Sequence, residues 1–139
     1  MVEHIWTVIC KSSARDRDTG TVSLFEVLES IEITGKGERG ALRFDANVMS
    51  YWTRSDPKVT CRAESRLIFC LPNGETAESS KQSIELIDLP RQISRTMVSE
   101  VPVEGPGVYK MRVELQQDGE EKWNTVASIP FTIALRALH

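Results

Sequence analysis

Apolar side chains recur at every second position through most of this chain, and a period of 2 commits it to strands. Leu42, Phe44, Ala46 and Val48 alternate with Arg43, Asp45 and Asn47, a half-buried strand running to about Trp52. Val59, Cys61, Ala63, Ser65, Leu67, Phe69 and Leu71 share one face, with Arg62, Glu64 and Arg66 on the other. Tyr109, Met111, Val113 and Leu115 alternate with Lys110, Arg112, Glu114 and Gln116, and Ile129, Phe131, Ile133 and Leu135 line the inward face of the last strand. Shorter β-rich runs are His4–Cys10, Val22–Ile33 and one through Ile84, Leu86 and Leu89 that Pro90 ends. The skip between Leu24 and Val27 changes parity as a β-bulge would. Arg91–Glu104 offers only Ile93, Met97, Val101 and Val103 as apolar points. Turn signals fall between the runs: Thr19-Gly20, Asp56-Pro57, Pro72-Asn73-Gly74, Gly105-Pro106-Gly107 and the hairpin pair Asp118-Gly119. A doubly wound α/β fold needs 10–15-residue helical patterns between strands, and the chain has none. Eight or nine strands at such spacing predict an all-β, antiparallel two-sheet sandwich.

Size and composition agree. The 139 residues suit one domain, residues 1–139, and include 32 Val, Ile or Thr. A net charge of −3 provides no field to hold nucleic acid or an acidic membrane, so neither is expected as a partner. No apolar run approaches the ~20 residues of a membrane helix. The opening MVEHIWTVICKSS has Glu and His where a secretory signal needs Lys or Arg. Cys10, Cys61 and Cys70 cannot all pair and lack CxxC spacing, which leads us to expect a reducing, cytoplasmic setting.

Two segments carry resemblances. Gly107-Val108-Tyr109, after Val101 and Val103, resembles the corner before strand F of immunoglobulin-like sandwiches, where a Tyr hydroxyl bonds an upstream backbone group. The inter-sheet Cys pair of those domains is missing, because Cys61 and Cys70 fall on opposite faces of one strand. The expected type is therefore immunoglobulin-like or C2-like. Thr19–Leu28 (TGTVSLFEVL) and Gly105–Val113 (GPGVYKMRV), with Asp118-Gly119 after them, resemble a bacterial family of unknown function. Its members open with a strand, a D…TGK-x-SL turn and a second strand, and close with G-x-Y-x-x-x-V…DG and a last strand. The resemblance implies a β-sandwich of bacterial or phage-associated origin, and it transfers no functional residue.

Catalytic groups are scarce. Only His4 and His139 could serve as an imidazole base. His4 and Cys10, six residues apart in one strand, lie about 20 Å from each other at ~3.3 Å per residue, beyond hydrogen-bond reach. Carboxylate pairs such as Glu26/Glu29, Glu75/Glu78 or Glu120/Glu121 are present, as they must be somewhere among 20 acids. Asp16-x-Asp18-x-Gly20 has the opening of a calcium loop, but its twelfth position is Val27, with Glu26 one short. Gly35-Lys36-Gly37-Glu38-Arg39-Gly40 offers bare amides and cations to a phosphate, yet it joins two strands instead of a strand and a helix. Arg62, Arg66, Arg91 and Arg95 form a cationic patch only if their strands adjoin.

Tyr51-Trp52-Thr53-Arg54 is the segment of most interest. Adjacent strand residues point to opposite faces, so one ring faces outward beside Arg54 if the other is in the core. Trp6 and Trp123 are expected as core anchors. These observations predict a non-catalytic module that binds another protein or itself, without a cofactor, through end loops or an exposed strand edge. The alternative is a small-ligand module for calcium or carbohydrate, using Asp16 and Asp18 or the Tyr51, Trp52 and Arg54 surface. A hydrolase working through loop carboxylates comes third.

Overall fold

The computed structural model describes residues 1–34 and 40–136. The glycine-rich loop through Arg39 and the terminal His139 lie outside the described residues. Ten strands and no helix occupy the rest: β1 (Val2–Arg15), β2 (Val22–Val27), β3 (Ser30–Thr34), β4 (Gly40–Arg54), β5 (Cys61–Cys70), β6 (Thr76–Glu78), β7 (Gln82–Leu86), β8 (Arg91–Val103), β9 (Gly107–Gln117) and β10 (Asn124–Arg136). No helix among the described residues is long and apolar enough to cross a membrane.

The strands form two sheets. One has the order β2-β1-β4-β8; the other runs β3-β10-β9-β5, with β6 and β7 both pairing with β5. β6 takes the Ile68–Cys70 end of β5 and β7 takes the Cys61–Ser65 end. Every ladder is antiparallel except β3 with β10.

The alternation read from the sequence faces one set of residues from each sheet into a common core. Val48 and Trp52 of β4 meet Leu67 and Phe69 of β5, Ile84 and Leu86 of β7, Tyr109, Met111 and Val113 of β9, and Phe131 and Ile133 of β10. Phe69, Tyr109 and Phe131 form an aromatic cluster with centroids 5.5–5.9 Å apart. A cavity of about 10 Å³, roughly the space of one water, lies between Ile9, Val48, Val98, Phe69 and Met111. The two layers are thus in van der Waals contact. Tyr109 is fully buried, and its hydroxyl accepts the Glu104 N–H at 3.0 Å and donates to the Gly105 carbonyl at 2.7 Å. That is the tie the Gly-x-Tyr corner requires. Gln117 adds a second brace by accepting the Val2 N–H at 3.0 Å and donating to the Val2 carbonyl at 2.8 Å.

Three expectations need correction. The parity skip between Leu24 and Val27 is not a bulge: β2 runs in unbroken register with β1, which puts the two side chains on opposite faces, and the Val22–Ile33 run then changes sheet. β2 pairs with β1, whereas β3 crosses to lie parallel to β10. The transfer falls between Leu28, whose N–H still bonds the Ile9 carbonyl of β1, and Glu29, whose carbonyl accepts the Thr132 N–H of β10; Glu26, with a left-handed φ of 53°, lies earlier, within β2. The count is ten strands instead of eight or nine, because of this split and because β6, at three residues, is too short to show a period. Arg91–Glu104 carries a full strand of thirteen residues, β8, despite its poor alternation.

Candidate functional site

The sheet β2-β1-β4-β8 has an outer face as well as a core face, and register assigns its residues. Trp52, Ser50 and Val48 point inward, so Thr53, Tyr51, Met49 and Asn47 point outward. Trp6 pairs with Tyr51, Val8 with Met49 and Cys10 with Asn47. On the far side of β4, Arg91 pairs with Thr53, Ile93 with Tyr51, Arg95 with Met49 and Met97 with Asn47. Val27 pairs with Cys10 and Phe25 with Ser12 along β2.

The result is an apolar outer surface on a β-sheet. Trp6 and Tyr51 stack at 5.7 Å and 18°, both half-buried. Met49 and Cys10 are buried between neighbours on this face, outside the main core cluster. Around them Phe25 is 49% exposed, Val27 58% and Met97 65%. Burial pushes the Cys10 thiol above its ordinary pKa, so it stays a protonated, weakly reactive apolar group. Glu3, opposite Thr53 on β1, and Arg91, opposite Thr53 on β8, put opposite charges at one end of this face, and Arg95, four residues on and opposite Met49, adds a third charge nearer its middle.

The reason the chain builds this surface is a departure from alternation. His4–Cys10 (HIWTVIC) and Asn47–Trp52 (NVMSYW) are apolar on both parities, and a strand apolar on both faces is ordinarily covered on both. A β-irregularity between His4 and Trp6 shifts the parity of β1 and puts Trp6 on the outside with Tyr51.

The other sheet is the reverse. Its outer face carries Arg66, which donates to Glu114 at 2.8 Å and Glu78 at 3.1 Å and lies 4.1 Å over the Trp123 ring. Lys81 approaches the same ring at 5.5 Å. Arg112 stands 4.0 Å from Glu114, and its Nε is buried without a hydrogen-bond partner among the described residues. Beside this network lies a polar cleft of about 290 Å³, walled by Arg62, Glu64, Ser83, Glu85, Gln116 and Glu120 among others.

The residues singled out in the sequence are dispersed by the fold. Tyr51 lies on the apolar outer face. Trp52 does not: it is fully buried in the core, where its Nε1–H donates to Ser94 Oγ at 2.9 Å, so it contributes no binding surface. Arg54 is spent on structure, donating to the Leu86, Pro57 and Ile87 carbonyls at 2.9, 2.9 and 2.7 Å. Asp16 closes its own turn by accepting the Asp18 and Thr19 amides at 2.8 and 3.0 Å, and those donors, Thr19 first, hold its carboxyl below the usual range. Asp18 is exposed beside it. Among the described residues no three His, Cys, Asp or Glu side chains converge on a metal-sized point. Trp6 and Trp123 are not core anchors: each is half-exposed on an outer face, one under Tyr51 and the other under Arg66. The four arginines divide between sheets, Arg62 and Arg66 on β5 and Arg91 and Arg95 on β8, so they make no common patch. His4 bonds Thr7 Oγ1 at 2.7 Å, and Thr7 Oγ1 lies 2.8 Å from Ser50 Oγ. That chain leaves His4 without Cys10 as a partner. No protein-family model matches this sequence, and no curated protein matches it either.

Proposed function

We propose that this chain is a non-catalytic protein-binding module of immunoglobulin-like type, which engages its partner through the outer face of β2-β1-β4-β8. The observation that carries this is the apolar surface around the Trp6–Tyr51 stack, with Phe25, Val27 and Met97 half to two-thirds exposed on one face. Contiguous apolar surface of that kind on a soluble domain marks an interaction site more often than an accident of composition, and aromatic and Met side chains are the residues enriched in interface cores. The immunoglobulin-like assignment is supported by β10-β9-β5 in one sheet and β4-β8 in the other, the order of G-F-C and B-E. The Tyr109 corner at the start of β9 supports it further. The resemblance to an uncharacterised bacterial family fits the same reading and adds a bacterial or phage-associated setting, in the cytoplasm.

The test is a quantitative pull-down from the source organism's lysate with wild type and Met97→Glu as paired baits, both verified as folded by their melting curves. The module requires at least one protein, a further copy of this chain included, that wild type holds and Met97→Glu loses. Identical captures from both baits refute it, as does substrate turnover that survives repurification. A second reading, a small-ligand module for carbohydrate, is favoured only by the polar cleft lined by Arg62, Glu64, Glu85 and Gln116. It requires a rise in melting temperature with a sugar, abolished by Glu64→Ala, and is discarded without one.

A further inference from the structure

We infer that the partner of this face is a second copy of the chain, packed face to face about a twofold axis. The inference rests on the functional reading above and names its partner.

The face is self-complementary in shape and in charge. Across the sheet the order is β2, β1, β4, β8. A twofold axis parallel to the strands, running between β1 and β4, keeps each residue at its own height and exchanges β1 with β4 and β2 with β8. It therefore lays Tyr51 of one copy over the partner's Trp6, since these two share a row. It also lays Met97 over the partner's Val27. Met97 and Cys10 both pair with Asn47, and Cys10 pairs with Val27, so all lie in one row. The two most exposed apolar side chains of the face, Met97 and Val27, would thus cover each other.

The same operation settles the charges. Glu3 and Arg91 flank Thr53 in the end row, on β1 and β8. β2 begins only opposite Cys10 and does not reach that row, which leaves a corner open beside Glu3. Arg91 of the partner enters that corner next to Glu3, and symmetry makes the pair twice. Glu3 and Arg91 are exposed, and neither forms an ion pair within the chain among the described residues. An axis perpendicular to the strands would instead set Arg91 over the row of Met97 and Cys10. The charges thus select the parallel axis, which is also the aligned geometry of packed sheets.

Area fixes the strength. Three strands at ~4.8 Å over about nine residues at ~3.3 Å, with β2 added only at the Cys10 end, give a footprint of roughly 400–500 Å² per copy. That is the size of weak, transient contacts, so the dimer should dissociate within the micromolar-to-millimolar range.

Sedimentation equilibrium of the full chain from ~1 µM to ~1 mM tests this at low and at high salt. Wild type should pass from monomer to dimer across that range and stop there, because a twofold contact closes. Met97→Glu should remain monomeric. Glu3→Arg and Arg91→Glu should each weaken the dimer by about 3–10-fold, and their combination should restore it. All four side chains changed or contacted are exposed, so the variants should melt as wild type does. A monomer at every concentration overturns the inference; if Met97→Glu still loses a different captured protein, the binding-module reading survives without it. A dimer that ignores Met97→Glu, or swaps that fail to rescue each other, overturns it too.

Discussion

Replacing Tyr109 by Phe removes one oxygen and nothing else, which makes it a clean probe of how the two layers are tied at the β8–β9 corner. The ring is fully buried and stays packed on Phe69 at 5.5 Å and Phe131 at 5.9 Å, so no cavity opens. The loss is two hydrogen bonds, from Glu104 N–H at 3.0 Å and to the Gly105 carbonyl at 2.7 Å. Each bond contributes ~0.5–1.5 kcal/mol net, and a buried carbonyl left unpaired adds to the cost. Gly105 is buried, so its carbonyl cannot turn to bulk water, whereas Glu104 is half-exposed and its N–H can be rehydrated. The sum is about 2 kcal/mol. For a domain of this size that corresponds to a melting temperature lower by about 5–9 °C. Urea unfolding should show the midpoint falling with the slope unchanged, because the native fold and the surface exposed on unfolding are the same. A loss below ~0.5 kcal/mol would refute the claim that this hydroxyl braces the corner, since that is under the net value of a single bond.

Trp52→Ala should cost ~3–5 kcal/mol in chemical denaturation, as for other large core truncations, whereas Trp6→Ala, on the half-exposed outer face, should cost less than ~1.5 kcal/mol. Equal losses would mean the two faces of β1 and β4 have been misassigned. Arg66→Met should destabilise by ~2 kcal/mol because it leaves Glu114, 11% exposed, facing only the more distant Arg112, while Glu78→Ala should change stability by under ~0.5 kcal/mol because Glu78 is half-exposed. The same denaturation curves decide it, and the reverse ranking would sink the account of that network. His4 has its pKa lowered by burial, partly offset by a backbone hydrogen bond at Trp6, so its neutral form is the one the fold favours. Its contribution is therefore fully present above the ordinary value of 6.5 and is lost as pH falls from there towards the lowered folded value. Stability at pH 5 should accordingly lie below that at pH 7.5, with His4→Gln removing the His-dependent part of the difference; a variant with the wild-type pH profile would show that another group is responsible.

How much of this was legible in the sequence depends on whether a strand had one covered face or two. β5 and β9 read cleanly because their outer residues are Arg62, Glu64, Lys110 and Arg112, so alternation was visible at once. The hairpin at Asp118-Gly119 and the turn at Pro72-Asn73-Gly74 were equally plain, and Gly119 and Gly74 take the positive φ such turns need. Alternation weakened in β1, β4 and β8, where outer positions hold Trp6, Val8, Tyr51, Met49, Ile93 and Met97, and parity alone could not tell core from surface. The sheet change after Leu28 was beyond reach for a different reason. A shift of parity is the same local event whether the strand bulges or leaves, and only the distant pairing of β3 with β10 separates them. The roles of Trp52 and Arg54 were likewise non-local, since Ser94, Leu86 and Ile87, which engage them, lie more than thirty residues downstream.

The same weakness of pattern is what points to the site. A strand in a two-layer sandwich needs one apolar face, and every apolar residue on the other face draws no stability from the core. Water penalises such exposure by roughly 25 cal/mol per Å² of apolar surface, and a neutral replacement such as Ser or Thr would have served the fold as well. In one sheet many outer positions hold charged or hydroxyl side chains, such as Arg66, Glu114, Ser128 and Thr132. In the other, beside Glu3, Thr53, Asn47, Arg91 and Arg95, they include Trp, Tyr, Met, Phe and Val, on four neighbouring strands and in shared rows. The contrast lies within one small domain of uniform composition, so a general excess of hydrophobic residues does not explain it. The proposed binding role accounts for it: a second surface would cover this face, with the rows of Trp6 with Tyr51 and Val27 with Met97 as the template for its shape.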